Sequence, residues 1–244
     1  MIVTILGSGS GLPAPHKNHS CLLVQSSKAN LLLDCGEPAA RTLAEYGFEP
    51  DFLDGIVISH LHPDHISGIY MLIQLLHINK RQKDLYLFLP EREADFYKTL
   101  EMFYLFPARL PFKLIIKNIT ELHEWSGFGQ VFENDHLKRY RKFVQNNNLP
   151  NELKSYSILL KGDEKHLFYT SDMSNIPQLE IPVNAADIII VDALHPPAKQ
   201  ILQLLSTDKT IILTHGISSE LENEIKTGIY PNVMKADDYQ EIKF

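Results

Sequence analysis

Cysteine is scarce: Cys21 and Cys35 are the only two among 244 residues. Two thiols build no disulfide framework and suit a reducing compartment. Nothing else in the sequence supports a Cys21–Cys35 bridge. Positive charge is in deficit as well. Lys and Arg number 23 against 30 Asp and Glu, a formal net charge of −7. That excludes a generally basic coat for nucleic acid but leaves room for a local basic patch. No apolar run approaches the ~18 residues that a membrane-spanning helix needs. The opening Met1 to Gly7 lacks the basic and long apolar regions of a signal peptide and reads as a first strand. The expected location is therefore the cytoplasm. No internal period is visible, and no Pro-, Gly- or Ser-rich linker divides the chain, so a single domain over 1–244 is the simplest organisation. A hydrophobic fraction of 44% is ordinary for a globular chain, and the length suffices for a sizeable core.

What the sequence does have is a dense cluster of ligand-type side chains. From His60 to His65, three imidazoles and one carboxylate fall within six residues. The apolar run Gly55 to Ile58 precedes them and an apolar helical pattern from Ile66 to Lys80 follows, which predicts a buried strand, a short loop and a helix. His60 and His62, two apart at a strand end, lean to the same side, and Asp64 and His65 stand where the helix begins. Nitrogen and carboxylate donors at this density suit Zn²⁺ or a similar transition metal.

The same arrangement recurs along the chain. Asp34, His136, Asp172, Asp192 and His215 each follow or end an apolar, strand-like run. Residues at strand ends on one sheet edge converge, and that is how a rigid scaffold presents a site. Strands alternate with helical patterns, giving an α/β (α+β) class. A helix is expected over Pro38 to Tyr46 and another over Glu91 to Phe106, with His123 in a polar turn. His77 sits on or near an apolar helical face and reads as a core or surface residue. The glycine-rich loop Gly7 to Gly11 runs straight into Leu12-Pro13. Proline there blocks the helix a dinucleotide fingerprint requires, so the loop serves close backbone approach to a neighbouring site instead. His16 and His19 sit beside it, placed to line a pocket but not counted among the site residues. The segment Leu137 to Lys154 carries Lys138, Arg139, Arg141 and Lys142, the one notable basic cluster.

These motifs together resemble the metallo-β-lactamase superfamily, and within it the ribonuclease Z-like branch. The resemblance rests on Leu32-Leu33-Asp34-Cys35-Gly36-Glu37, on His60-Leu61-His62-Pro63-Asp64-His65, on His136, on Tyr169-Thr170-Ser171-Asp172 and on Leu213-Thr214-His215. The glycine loop and the closing segments Tyr230 to Val233 and Glu241-Ile242 also fit. It implies a four-layer αβ/βα metallo-β-lactamase sandwich with two metals, Zn²⁺ with Mn²⁺ or Fe as alternatives. His60, His62 and His136 would hold one metal and Asp64, His65 and His215 the other, with Asp172 bridging. Asp34 would support a histidine from behind. The implied activity is hydrolysis of a phosphodiester, RNA or a small cyclic phosphate ester, with Asp64 as proton acceptor and His195 as candidate proton donor. Arg139 and Arg141, within the basic insertion 137–154, are candidate substrate contacts. In place of the long glycine- and proline-rich arm of ribonuclease Z proteins, only that short insertion is present. Hydrolysis of an ester, lactone or thioester, or metal binding without catalysis, are the competing readings. Relatives of this kind are often dimers, which leaves a homodimer open.

Overall fold

The apolar runs of the sequence become strands, and the amphipathic stretches between them become helices. In chain order the computed structural model, which describes residues 1–243, has β1 (Ile2–Gly7), β2 (Cys21–Gln25), β3 (Asn30–Leu33), α1 (Ala39–Glu45), β4 (Gly55–Val57), α2 (Pro63–Ile66), α3 (Ile69–Ile78), β5 (Leu85–Leu89), α4 (Glu93–Met102), β6 (Leu114–Asn118) and α5 (Leu122–Ser126). There follow β7 (Gly129–Glu133), α6 (Arg141–Asn146), β8 (Tyr156–Lys161), β9 (His166–Tyr169), α7 (Glu180–Ala185), β10 (Ile188–Ala193), α8 (Ala198–Leu205), β11 (Thr210–Ile217), α9 (Ser219–Thr227), β12 (Val233–Lys235) and β13 (Gln240–Lys243). The chain folds as two compact units: residues 1–126 joined by the end of the chain from Asp237, and residues 127–236. Among the described residues no helix is long and apolar enough to cross a membrane.

The first unit is built on a mixed sheet ordered β13-β1-β2-β3-β4-β5-β6. Pairing is antiparallel from β13 to β3 and parallel from β3 to β6. The parallel register Leu33↔Val57 sets the carboxyl ends of β3 and β4 side by side. Ile69, Leu72, Ile73 and Leu76, at helical spacing on α3, pack with Leu32, Ile56 and Leu87 of the sheet into one apolar cluster.

The second unit carries a mixed sheet ordered β12-β11-β10-β9-β8-β7. It is parallel from β12 to β9, whereas β8 runs antiparallel to both β9 and β7. Hence β7, β9, β10 and β11 all point the same way, and their carboxyl ends share one edge. Ile188 to Val191 are wholly buried, the continuous apolar run that an interior parallel strand calls for. Ile201, Leu204 and Leu205 of α8 close over this sheet together with Leu221 of α9.

Three local expectations change, and one stretch without an expectation gains structure. The single helix expected from Ile66 to Lys80 is split into α2 and α3 at Ser67-Gly68. There the chain bonds sideways rather than along the helix: Gly68 N–H donates to Cys35 O at 2.9 Å and Cys35 N–H to His65 O at 2.8 Å. A Cβ at Gly68 would stand 2.5 Å from Gly36 O, so only glycine permits the approach. The helix expected to reach Phe106 stops at Met102, where the chain turns through Tyr104 at φ +60° and Leu105 N–H returns to Leu100 O. His123 lies in α5 instead of a turn, because Asn118 and Glu121 form a capping box that starts a helical segment. The stretch from Ile176 to Ala185, which carried no sequence signal, forms a 3-10 turn and α7 despite Pro177 and Pro182.

Candidate metal centre

In the first unit, β4 leaves the sheet at Ser59, one residue after Ile58 N–H makes its last ladder bond to Phe88 O. Pro63 then occupies the first turn of α2, where its missing N–H costs nothing, with His62 as the N-cap. This short strand–loop–helix holds His60, His62, Asp64 and His65 in one place. The His60 ring centroid lies 4.7 Å from that of His62 and 4.1 Å from that of His65. His60 and His65 are wholly buried, and Asp64 is 9% exposed.

Asp34 organises this loop from the end of β3. It adopts φ +59°, a left-handed conformation that Asp tolerates better than most residues. Its Oδ1 accepts Ser59 N–H at 2.7 Å, and its Oδ2 accepts the Ser59 hydroxyl at 3.0 Å and pairs with His65 Nδ1 at 2.7 Å. Ser59 Oγ also stands 3.1 Å from His60 Nδ1. The Nδ1 atoms of both buried histidines are thus engaged from behind. The Nε2 atom of His65 points the other way, 3.5 Å from Asp64 Oδ2. An imidazole anchored through one nitrogen by a carboxylate or hydroxyl and presenting the other is the arrangement metal ligands adopt. The sequence places Ser59 at the head of the histidine stretch but assigns it no role; that position is the one signal of its support.

The second unit gathers its own set around Asp172, which follows β9 and Ser171, itself at φ +51°. Asp172 Oδ2 lies 3.1 Å from His215 Nε2, 3.6 Å from His136 Nε2 and 3.8 Å from His195 Nδ1. Asp172 is 2% exposed, so a carboxylate sits in the interior among three imidazoles. Each histidine has a local reason to be there. His215 is extruded by a bulge: Asp192 pairs with Thr214 but Ala193 with Ile217, so His215 and Gly216 are surplus on β11, at φ +62° and +83°. His136 follows β7 and is set by buried Asn134, whose Oδ1 accepts the His136 N–H at 3.2 Å and the Ser155 hydroxyl at 2.6 Å. Asn134 is a second residue that sequence reading passed over.

His195 is held by Asp192. Its Nδ1 is 2.9 Å from Asp192 Oδ2, while Asp192 Oδ1 accepts the backbone N–H of Leu194 and His195. The Asp192 hydrogen bond raises the His195 pKa above its ordinary value; partial burial and the charge of Arg139 act against that rise. Arg139 is exposed, its guanidinium 4.9 Å from the centre of the Tyr140 ring and bonded to the Tyr140 hydroxyl at 3.1 Å. Arg141 is exposed at the start of α6. Asp172, Asp192 and His195 by themselves bring three donor atoms within 4.8 Å of one another.

Each unit therefore offers imidazole nitrogens and a carboxylate in a buried setting, the donor chemistry that Zn²⁺, Mn²⁺ or Fe accepts. On this observation the residues fit a divalent metal.

Residues 1–228 match the model of a family described as Anti-Pycsar protein Apyc1. The ribonuclease Z of Aeropyrum pernix is 37% identical over 101 residues, covering 41% of this chain. That match spans 33%, about a third, of the relative's length. The anti-Pycsar protein Apyc1 of Bacillus phage vB_BsuM-Goe3 is 40% identical over 67 residues, 28% of this chain and 26% of that protein. Among solved structures, the metallo-β-lactamase fold protein YhfI of Bacillus subtilis superposes with a TM-score of 0.73 at 20% identity, covering 99% of this chain and 98% of the other. Two mixed sheets with their helices thus form the metallo-β-lactamase α/β sandwich fold expected from the motifs.

Proposed function

This chain belongs to the family described as Anti-Pycsar protein Apyc1, and on that premise we propose that it is a metal-dependent phosphodiesterase acting on a small cyclic phosphate ester, a cyclic nucleotide in particular. The observation that carries the reading is the buried Asp172 carboxylate with His215, His136 and His195 within 3.1–3.8 Å of it. A buried carboxylate with two buried imidazoles and a third partly buried beside it suits a metal far better than it suits a packed core.

The ligand assignment goes with it. By the resemblance, His60, His62 and His136 would hold one metal ion and Asp64, His65 and His215 a second, with Asp172 common to both. Zn²⁺ is the first choice of metal. Ligand-type residues occur in both units. When bound, the metals acidify a water and polarise the phosphoryl oxygens. The chain's own residues do the rest. Asp64 accepts the proton of the attacking water. Asp192 holds His195 through Nδ1 and favours its imidazolium form, whose second proton, on Nε2, goes to the leaving oxygen. Asp34 fixes the orientation of His65.

Parallel assays of the metal-loaded protein on bis(p-nitrophenyl) phosphate, a panel of 3′,5′-cyclic nucleotides and a lactone panel test the reading. Turnover of a cyclic nucleotide supports it; activity on the lactones alone overturns it. A protein that holds two metal equivalents and hydrolyses none of them acts as a metal-binding accessory instead.

A specific observation favours RNA as the second substrate class. Lys138, Arg139, Arg141 and Lys142 are all exposed, interleaved with Tyr140 and Phe143, which are 38% and 63% exposed. Cationic and aromatic side chains alternating on one short helical segment suit a phosphate backbone and its bases. Arg139 and Arg141 are its proposed contacts. Cleavage of a precursor transfer RNA, weakening steeply with salt, would favour RNA over the small ester.

A further inference from the structure

We propose that Asp238 is a positioning residue: its carboxylate fixes the loop 8–20 that walls Asp64, so that the closing segment of the chain governs how substrate is held there. The proposal rests on the reading of Asp64 as part of a phosphodiesterase site. Every contact it uses lies within the first unit, and Asp238 lies beyond the residues matched by the family model.

The loop runs beside Asp64 at Gly11. A Cβ at Gly11 would stand 3.3 Å from Asp64 Oδ2 and 3.4 Å from its Cγ, so this stretch of main chain runs about one methyl group away from the carboxylate. Below it, Gly36 leaves so little room that a Cβ would meet Asp64 O at 2.3 Å and the His19 Cβ at 2.7 Å. Gly9 N–H donates to Asn18 O at 2.8 Å, and His19 Nδ1 lies 2.9 Å from Ser10 O. Residues 11–17, with Leu12 80% exposed, form an open tip beyond these bonds.

Two stems carry that tip, and one carboxylate binds both. Asp238 Oδ1 accepts the Ser8 N–H at 2.9 Å and the Ser8 hydroxyl at 2.7 Å, while its Oδ2 accepts the Asn18 N–H at 2.6 Å. The carboxylate is set by β13, which pairs antiparallel with β1, and by Tyr239 N–H bonded to Ile5 O at 2.7 Å. Tyr46 adds a bond from its hydroxyl to Tyr239 O at 3.2 Å. The neighbouring Asp237 differs. It is 80% exposed by side chain; its Oδ1 accepts the Asp238 N–H at 3.1 Å, and it reaches the loop itself only through the flexible amine of Lys17, a pairing that water screens. Charge-assisted bonds from backbone N–H groups order a loop far more than an exposed ion pair does. The position of the wall over Asp64 is therefore assigned to Asp238 and not to the acidic pair as a whole.

The experiment compares Asp238→Ala, Asp238→Asn and Asp237→Ala in the full metal-loaded chain by hydrogen exchange and steady-state kinetics on bis(p-nitrophenyl) phosphate. Losing bonds to a charged acceptor is expected to raise amide exchange across residues 8–20 by about tenfold or more in Asp238→Ala. KM is expected to rise by a similar factor, with kcat and metal content held within about twofold, because the loop contacts substrate and not the reacting atoms. Asp238→Asn preserves shape and keeps one acceptor, so it falls between; it also serves if the alanine variant does not fold. Asp237→Ala is expected to match the parent. Exchange in residues 8–20 unchanged by both Asp238 substitutions overturns the proposal, and so does a loosened loop with unchanged KM. A parent protein that hydrolyses no phosphodiester refutes the functional reading instead, and the exchange data then decide on their own whether Asp238 holds the loop.

Discussion

Asp34 and His65, thirty-one positions apart in the chain, meet through a 2.7 Å contact between Oδ2 and Nδ1 with both side chains wholly buried. That contact sets the tautomer. The carboxylate accepts a hydrogen bond from Nδ1–H, which leaves Nε2 with its lone pair. Asparagine at position 34 would reverse this. It keeps an acceptor for Ser59 N–H and tolerates the φ of +59°, so the backbone suffers little. Its amide nitrogen, turned toward Nδ1, would make that atom accept and put the proton on Nε2, where it blocks coordination. Asp34→Asn is therefore expected to weaken metal affinity by about 10–100-fold with little change in the melting point of the metal-free protein. Competition with a chelator of known affinity measures the first, and thermal denaturation the second.

Metal removal is expected to destabilise the chain as a whole. A ligand that binds only the folded state adds RT ln(1 + [L]/Kd), about 4 kcal/mol at a thousandfold excess over Kd. Exhaustive chelation should lower the melting temperature by several degrees, with recovery on adding Zn²⁺. His62→Ala and Asp64→Ala should abolish metal-dependent turnover and also blunt that recovery. A variant that stays fully active shows that the chemistry lies elsewhere.

The sheet-forming half of the fold was legible because its signal is local. Ile2 to Gly7, Leu85 to Leu89 and Thr210 to Leu213 are apolar runs between turn residues, and each is a strand. The segments that departed from expectation depend on distant partners. Nothing near Gly68 announces that Cys35 and Gly36 will pack against it and break the helix. His215 was visible as a residue after a strand, whereas the bulge that extrudes it depends on the register of β11 against β10. The supports were hardest to see. Ser59 and Asn134 are ordinary polar residues, and what marks them is the hydrogen bonds they make once the chain is folded. The metallo-β-lactamase resemblance depended instead on short motifs whose spacing survives in the sequence.

His195→Ala is expected to act on the leaving group. With Nδ1 tied to Asp192, the imidazole is oriented as a proton donor, and losing such a donor costs about 10²–10⁴ in rate. The penalty should be large for a cyclic nucleotide, whose leaving alkoxide needs the proton. It should be small for bis(p-nitrophenyl) phosphate, whose leaving phenolate does not. Asp192→Asn should show the same leaving-group dependence in weaker form. Equal losses on both substrates would remove His195 from the role of acid.

Burial pushes the thiols of Cys21 and Cys35 well above their ordinary pKa. Neither is expected to react with a thiol reagent at pH 8 in the native protein, and both should react on unfolding. For Cys21 the linkage has a definite sign. The native state keeps its proton while the unfolded thiol loses one above about pH 8.5, so stability is complete below that pH and falls as pH rises beyond it, by about 1.4 kcal/mol per pH unit. Replacing Cys21 by Ala should flatten this alkaline decline in a series of urea denaturation curves. Thiols that label rapidly in the folded protein would contradict their burial.

Arg81 is the largest of the wholly buried side chains, and its hydrogen bonds go to carbonyls. One of its terminal nitrogens bonds Pro50 O at 2.5 Å, and the other bonds Leu53 O at 2.6 Å and Asp84 O at 2.9 Å. The guanidinium carbon lies 5.5 Å from the centre of the Phe112 ring. Burial lowers its pKa, and the nearby Asp51, Asp54 and Asp84 partly offset that. A single side chain thus ties the loop before β4 to the loop before β5, the two parallel strands from whose neighbourhood the histidine stretch departs. Removing it leaves three carbonyls without their donor, each costing about 1–3 kcal/mol where water cannot enter. Arg81→Met is expected to destabilise the protein by at least about 3 kcal/mol. Arg81→Lys should rescue only part, since one ammonium cannot reproduce the planar fork across three acceptors. Urea denaturation measures both. If the loss were confined to metal affinity at unchanged stability, Arg81 would belong to the site and not to the frame that carries it.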